Sequence, residues 1–231
     1  MKLYTSPLSP YSARVRASLY YKGLQAEMIK PSSLGGMTSS AFRAITPIGK
    51  IPVLVLDDGF TITESDSIVE FLEDLHPHPA LRLANPLLRA RARMLSRIVE
   101  LYVMGAIVGL QPMMPISLHQ APVARDEKRI SIHAPQLIKS LDDLEHFLSK
   151  EGPHAVGSEL STADTTIASF IPFVRAAEDY LGQQGLIDAH PALAGLVNRF
   201  SQNAVLQKVF SEVSAAMSER RAEVQKKFGL S

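Results

Sequence analysis

The sequence predicts an α/β module over residues 1–80 and an all-helical module over residues 86–231. In the first module, short strand-like runs alternate with helical ones in the order βαβ, a connection, then ββα. After the segment 76–79 (HPHP), which cannot continue a helix, apolar residues recur at spacings of three and four. With 231 residues, of which 46% are hydrophobic and 20% charged, the chain is expected to bury a sizeable core.

The first half of the α/β module reads as strand, helix, strand. Lys2–Thr5 is the first strand candidate, and the helix Ser9–Tyr21 follows. Ser9 is a favourable N-cap and Pro10 suits the first helical position, while Gly23 is typical of a helix end. Gln25–Ile29 is the second strand candidate.

The second half of this module reads as a hairpin followed by a helix. The runs 51–56 and 60–62 flank Asp57-Asp58-Gly59, and Asp-Gly is a strong turn signal. The segment Thr63–Asp66 has the form of a capping box in which Asp replaces the usual Glu. It predicts a helix over Glu64–Leu75.

The remainder of the chain reads as helices with one buried face each. The first begins at Asn85-Pro86, and its apolar stripe is Leu88, Ala92, Leu95, Val99, Tyr102 and Ala106. A capping box at 161–164 (STAD) opens a later helix. The further predicted helices are Gln136–Lys150, Ala163–Tyr180, Pro191–Phe200 and Val205–Lys226.

Composition excludes several classes of function. A formal net charge of +1 gives no field that favours nucleic acid. The absence of cysteine excludes disulfides, Cys-ligated metals and a protein thiol nucleophile, and the seven histidines show no metal-ligand spacing. The apolar stretch 98–116 is too interrupted to span a membrane, and residues 1–5 lack the apolar region of a signal peptide. We therefore expect a cytoplasmic protein without a membrane or nucleic-acid partner.

Three segments of the α/β module are candidates for binding a ligand. A hydroxyl at a helix N-terminus, such as that of Ser9, can hydrogen-bond an anion, although it can equally cap its own helix. If the Ile51-Pro52 bond is cis, Ile51 can turn its backbone outward and pair with an extended peptide; the alternative is a rigid turn. Lys50 beside it is either a solvated lysine or a carboxylate anchor.

The third segment is Glu64-Ser65, where the Ser65 hydroxyl and the first helical amides can hold a carboxylate. The alternative is a second helix cap that involves Thr63. Together the three segments are expected to line one edge of the sheet. That arrangement suits a ligand with a central thiol, a peptide backbone and a carboxylate at each end.

At these residues the chain resembles the cytosolic glutathione S-transferases, in particular the serine-type, mostly bacterial group. Residues 9–16 (SPYSARVR) are similar to the active-site segment of that family, and residues 45–54 (ITPIGKIPVL) to its NPxGKVPxL loop. Residues 64–68 (ESDSI) resemble ESxAI, and residues 157–164 (GSELSTAD) resemble GxxxSLAD. The resemblance extends over essentially the whole chain.

The resemblance implies a thioredoxin-like N-terminal domain, an all-helical C-terminal domain and a role for each site residue. Ser9 would hydrogen-bond the glutathione sulfur, and Ile51 would pair with the cysteinyl backbone. Ser65 would hold the γ-glutamyl carboxylate, Glu64 its ammonium group, and Lys50 would lie near the glycyl carboxylate. The family often holds the position of Glu64 in a strained conformation, so a positive φ is expected there.

Some residues depart from the family pattern. Met37 stands where many relatives have a His or Gln that reaches the glycyl end, which predicts weaker binding of that end. Pro10 stands where one bacterial class has a cysteine, which excludes a mixed disulfide. Tyr11 is the second choice for contacting the sulfur.

The resemblance implies a transferase that activates the glutathione thiol for attack on a small apolar electrophile. Glutathione is then a co-substrate, and no cofactor is expected. The electrophile site is expected between the two modules, and its candidate residues are Leu8, Tyr11, Tyr102 and Ala106. The alternative is a non-catalytic binding or regulatory protein, comparable to the stringent starvation proteins.

The resemblance also implies a homodimer. Arg89, Arg93 and Arg97 form a basic stripe on one predicted helix, and Asp66, Glu70 and Asp74 form an acidic stripe on an earlier one. Two solvated faces are the simpler explanation. Because the family dimer sets these helices against their counterparts, we hypothesise that the stripes pair across the subunits.

Overall fold

The structure is a computed structural model that describes residues 1–114 and 122–229. It divides into two compact units, Met1–Arg82 and Leu83–Ser231. The first unit combines a mixed sheet with helices, and the second is helical. The predicted fold class, an α/β domain followed by an all-α domain, is confirmed.

The sheet of the first unit has four strands in the order β2-β1-β3-β4. They are β1 (Lys2–Tyr4), β2 (Glu27–Ile29), β3 (Val53–Val55) and β4 (Thr61–Thr63). β1 is parallel to β2, whereas β3 is antiparallel to both β1 and β4. β1, β2 and β3 lie within the predicted runs and are shorter than them, whereas β4 has the predicted length and begins one residue later.

The helices of this unit are α1 (Pro10–Lys22), α2 (Ser40–Ile45) and α3 (Ser65–Leu75), and a 3₁₀ turn covers Pro31–Leu34. α1 and α3 pack on the sheet, and their buried face is largely aliphatic. The core consists of Leu3, Val15, Leu19, Leu54, Ile68, Val69 and Leu72. Sequence reasoning missed α2, because six residues are too few for a helical period to emerge.

The start of α3 differs from the prediction. Glu64 is the N-cap residue, and no side chain caps the helix, so the capping box predicted for Thr63–Asp66 is wrong. The carboxylate of Asp66 instead forms an ion pair with Arg14 on α1. Asp66 therefore contacts a residue 52 positions away and does not cap its own helix.

The second unit begins with α4 (Pro86–Ile98), a π-helical turn (Val99–Val103) and α5 (Met104–Leu110), which follow one another without a loop. A 3₁₀ turn follows at Gln111–Met113. The later helices are α6 (Glu127–Phe147), α7 (Thr162–Leu181), α8 (Pro191–Arg199) and α9 (Ala204–Phe228), with a 3₁₀ turn at Phe200–Gln202. The predicted cap at 161–164 is present: the Asp164 carboxylate accepts hydrogen bonds from the Ser161 N–H and hydroxyl.

Two predictions for this unit need correction. Tyr102 was assigned to the buried stripe, but its side chain is 59% exposed. The π-helical turn inserts an extra residue and shifts the register, so that Val103 and Met104 are buried instead. α6 begins nine residues before the predicted start at Gln136, and Pro135 lies inside it. No helix among the described residues is long and apolar enough to cross a membrane.

Candidate active site

The register of the sheet brings the three predicted ligand-binding segments to one end of it. Val53 pairs with Tyr4 on one side and with Thr63 on the other. Neighbouring strands are about 4.8 Å apart, so Tyr4 and Thr63 are separated by about 10 Å. The loop to Ser9 continues from Tyr4, Ile51 lies two residues before Val53, and Glu64 follows Thr63. All three segments therefore leave the sheet at this end.

Ser9 occupies the N-cap position of α1, as predicted. Its Oγ accepts a hydrogen bond from the Ser12 N–H at 3.2 Å. A hydroxyl has one donor and two acceptor sites, and no acceptor for the Ser9 proton is found among the described residues. The side chain is half-buried. Capping α1 therefore leaves the hydroxyl proton free for a ligand, so the two readings of Ser9 are compatible.

Arg16 holds the loop that leads from β1 to Ser9, a role that sequence reasoning missed. Its guanidinium is buried and donates to the Thr5 hydroxyl and to the Ser6 carbonyl, both at 3.0 Å. A longer bond of 3.4 Å reaches the Pro7 carbonyl. One side chain thus fixes three consecutive residues. The sequence feature that could have indicated this role is an arginine on the predicted helix next to the apolar Val15, which is buried in the structure.

The Ile51-Pro52 peptide bond is cis. Ile51 is half-buried and lies outside the paired residues of β3. Lys50 is exposed. It follows Gly49, whose φ is +66° and where a Cβ would lie 3.2 Å from the Met37 carbonyl oxygen. The tight packing at Gly49 fixes the direction in which the chain enters Lys50 and Ile51.

Glu64 has a φ of 66° and a ψ of 120°, and it is the only non-glycine residue with positive φ in the described part of the chain. The positive φ expected at this position is confirmed. The backbone N–H groups of residues 65–67 find no acceptor among the described residues, whereas the Asn85 side chain caps α4. Ser65 is buried and Glu64 is exposed. The N-terminus of α3 is thus left with unpaired donors.

Arg14 connects the helix of Ser9 to the helix of Ser65. Its guanidinium is only 1% exposed and lies 2.8 Å from the Asp66 carboxylate. Asp66 is the residue directly after Ser65. This pair could not be predicted from the sequence, because the partners belong to different helices.

The structure places the candidates for the electrophile site in both units. Leu8 and Tyr11 flank the Ser9-Pro10 segment and are half-buried. Tyr102 and Ala106 belong to the helical unit, where they line a cavity of about 340 Å³ beside Gln136. A site shared by both units stays a prediction.

A second cavity of about 340 Å³ lies within the helical unit, and sequence reasoning missed it. Met114, Pro172 and Met217 supply apolar surface. Arg175, Glu178 and Asp179 also line it, and no ion pair of Arg175 is found among the described residues. Burial raises the pKa of the nearby Tyr180 phenol, an effect that the Arg221 charge partly offsets. Arg221 itself pairs with Asp179 at 3.3 Å.

Comparisons with known proteins identify the family. Residues 3–80 match the model of the glutathione S-transferase N-terminal domain, and residues 111–212 match that of the C-terminal domain. The chain is 38% identical to the maleylacetoacetate isomerase of Pseudomonas aeruginosa, over 43% of this chain and only 48% of that protein. It is 32% identical to a probable maleylacetoacetate isomerase of Caenorhabditis elegans, over 73% of this chain and 76% of that protein.

A solved structure agrees with these matches. The crystal structure of a glutathione S-transferase from Rhodospirillum rubrum has a TM-score of 0.71 at 25% identity, and the match covers 90% of each chain. The chain therefore belongs to the glutathione S-transferase family of enzymes.

Proposed function

We propose that the chain binds glutathione at the sheet end described above and lowers the pKa of its thiol through the Ser9 hydroxyl. The observation that carries the proposal is the hydrogen bonding of Ser9. Its Oγ accepts from the Ser12 N–H, which leaves the hydroxyl proton as a donor at the positive end of α1. Ser9 acts as a hydrogen-bond donor to the thiolate, not as a base or a nucleophile.

The remaining contacts follow from the positions of the three segments. Ile51 pairs with the cysteinyl backbone, and Lys50 lies near the glycyl carboxylate. The unpaired N–H groups at the start of α3 and the Ser65 hydroxyl hold the γ-glutamyl carboxylate. Glu64 accepts a hydrogen bond from the ammonium group. The serine-type assignment and these contacts rest on the resemblance together with the sheet register.

The size of the effect is plausible for one hydroxyl and one helix. A free thiol has a pKa of about 8.5, so a decrease of about two units needs about 2.7 kcal/mol. A hydrogen bond to a charged group contributes about 1.5–3 kcal/mol. A helix N-terminus adds about 0.3–1 kcal/mol. Together these terms reach the required range.

The Ser9→Ala variant tests this role. We expect the pKa of the bound thiol to rise by one to two units, measured from the pH dependence of thiolate absorbance, because about 1.5–3 kcal/mol of thiolate stabilisation is lost. Glutathione affinity at low pH should stay within a few fold, since the neutral thiol loses only a weak bond. Asn203→Ala is the matched control: it removes another side-chain N-cap, in the helical unit, and should leave the thiol pKa unchanged.

An unchanged thiol pKa in Ser9→Ala would contradict the proposal. The same measurement on Tyr11→Phe would then show whether the phenol supplies the proton. A thiol pKa that changes only in Tyr11→Phe assigns the role to Tyr11.

Two kinds of substrate are proposed to react with the glutathione thiolate. For an apolar electrophile, the candidate residues are Leu8, Tyr11, Tyr102 and Ala106. A second candidate function is glutathione-dependent cis–trans isomerisation of an unsaturated carboxylic acid. Two relatives are named maleylacetoacetate isomerases, and the exposed Arg175, which has no ion pair among the described residues, lines a cavity together with Glu178 and Asp179. In such a reaction the thiolate adds to the conjugated double bond, the new single bond rotates, and the C–S bond breaks to return the thiolate.

Arg175→Met distinguishes the two candidates. If Arg175 binds a substrate carboxylate, the KM for a maleyl-type acid should rise about tenfold or more, because a charged hydrogen bond is lost. Conjugation of a neutral aryl halide should be unaffected, and Arg175→Lys should restore part of the loss. Equal effects on the charged and the neutral substrate would exclude this role.

The non-catalytic alternative is not favoured, because the relatives are named as enzymes. Among the described residues, no three His, Asp or Glu side chains are close enough to hold a metal ion. The homodimer and the cytoplasmic location stay predictions.

A further inference from the structure

The N-terminus of α3 carries two carboxylates beside the proposed anion site. Glu64 and Asp66 flank Ser65, and the proposed ligand brings a further carboxylate to the same turn. The helix dipole supplies a partial charge of only about half a unit. Glu64 is proposed to bind the ammonium group of the ligand, so Asp66 is the carboxylate that would oppose the binding of the ligand carboxylate.

Arg14 supplies the missing positive charge. The Arg14 side chain is 1% exposed, and its guanidinium lies 2.8 Å from the Asp66 carboxylate. The Asp66 side chain is 61% exposed. A guanidinium remains charged at any physiological pH. Burying an ion pair rarely stabilises a fold more than apolar residues of the same size would, so stability alone does not explain why α1 carries this arginine.

Arg14 also lies on the helix that Ser9 caps. Five residues of α-helix separate them by about 7.5 Å. The ion pair thus joins the helix with the thiol donor to the helix with the carboxylate site.

We infer that Arg14 is a positioning residue for glutathione binding: it neutralises Asp66 and so allows the γ-glutamyl carboxylate to bind at Ser65. The inference rests on the proposed function. This role predicts that the two substitutions change glutathione affinity in opposite directions, which a purely structural role does not predict. Removing the Asp66 charge should strengthen binding, whereas removing the Arg14 charge should weaken it.

The test is a double-mutant cycle on glutathione affinity, measured by titration calorimetry. Arg14→Met should raise the Kd about tenfold, because an uncompensated Asp66 then repels the ligand over a few ångströms. Asp66→Asn should lower the Kd, because the charge of Arg14 at this turn is then no longer cancelled. The Kd of the double variant for glutathione should lie within about threefold of that of the parent protein. This recovery of affinity is expected even if the melting temperature of the double variant stays below that of the parent.

Arg82→Met is the matched control. Arg82 pairs with Glu70 and Asp74 further along the same helix, so it is the same kind of ion pair away from the N-terminus. Its loss should leave the Kd unchanged.

Three results would overturn the inference: a Kd within twofold of the parent in Arg14→Met, a Kd that does not fall in Asp66→Asn, or no recovery in the double variant. If Arg14→Met does not fold, Asp66→Asn alone still decides the sign. Failure of the parent protein to bind glutathione would instead refute the proposed function, and this inference with it.

Discussion

Glu64 combines a strained backbone with the carboxylate that we propose to bind the ammonium group of glutathione. A φ of 66° with a ψ of 120° is unfavourable for any residue with a Cβ, and such strain costs on the order of 1–3 kcal/mol. No side chain caps the helix that begins here, so the strain is not offset by a local cap. Strained residues of this kind cluster at ligand-binding sites, which agrees with the proposed role of Glu64.

Two substitutions separate the strain from the charge. Glu64→Gly should increase the free energy of unfolding by about 1 kcal/mol, since glycine adopts positive φ freely, and should weaken glutathione binding. Glu64→Gln should weaken binding to a similar extent without stabilising the protein, because it keeps the Cβ and loses only the charge. Urea unfolding and titration calorimetry measure the two quantities. A destabilised Glu64→Gly would show that the turn is not strained.

Residues with local roles could be predicted from the sequence, and residues with distant partners could not. Ser9 and Pro10 act within one turn of α1, so their positions follow from capping preferences. Arg16 acts on residues about ten positions away, and Arg14 on a residue 52 positions away. The positive φ of Glu64 was expected only because of the family resemblance, since no local preference favours it in glutamate.

At the scale of elements, the period of the apolar residues predicted the longer helices. It did not predict which residues are buried after Val99 or where α6 begins. The stripe through Leu95 and Val99 is buried as expected. Beyond it, the π-helical turn changes the register, and a regular period cannot anticipate an inserted residue. Tyr102 consequently faces outward, although it still lines a cavity together with Ala106.

The candidate site depends on the order of the strands, which the sequence indicated only through the resemblance. Because β3 lies between β1 and β4, a single row of residues aligns the ends of three segments. The hairpin turn predicted the pairing of β3 with β4. The pairing of β1 with β3 joins residues about fifty positions apart, and no local pattern encodes it.

For the whole molecule, the acidic stripe predicted from the sequence forms ion pairs within the chain. The acidic stripe is already paired within the chain: Asp66 with Arg14, and Glu70 and Asp74 with Arg82. Hydrogen bonding to Asp74 raises the pKa of the Arg82 guanidinium further. Each of these acids thus has a partner within its own chain, and the pairing of the two stripes across subunits stays a prediction. The homodimer stays a prediction, and its interface need not be electrostatic.

The stability of the first unit depends on a buried ion pair where that unit ends. Lys22 Nζ lies 2.8 Å from the Glu73 carboxylate and donates to the carbonyls of His76 and Pro79. Glu73 also accepts hydrogen bonds from the N–H groups of Leu81 and Arg82. Both side chains are almost fully buried. The pair and its hydrogen bonds thus connect residues 76–82, which follow α3, to the end of α1.

We expect Lys22→Met to lower the free energy of unfolding by about 3–5 kcal/mol, because it leaves the Glu73 carboxylate buried without a counter-charge. Lys139→Met is the matched control: it breaks an exposed pair with Asp143, one helical turn away, and should cost less than about 0.5 kcal/mol. Urea denaturation of both variants measures the difference. Adding Glu73→Gln to Lys22→Met should recover part of the loss, since the uncompensated charge is removed. Equal losses in the two lysine variants would mean that the buried pair is no more important than a surface contact.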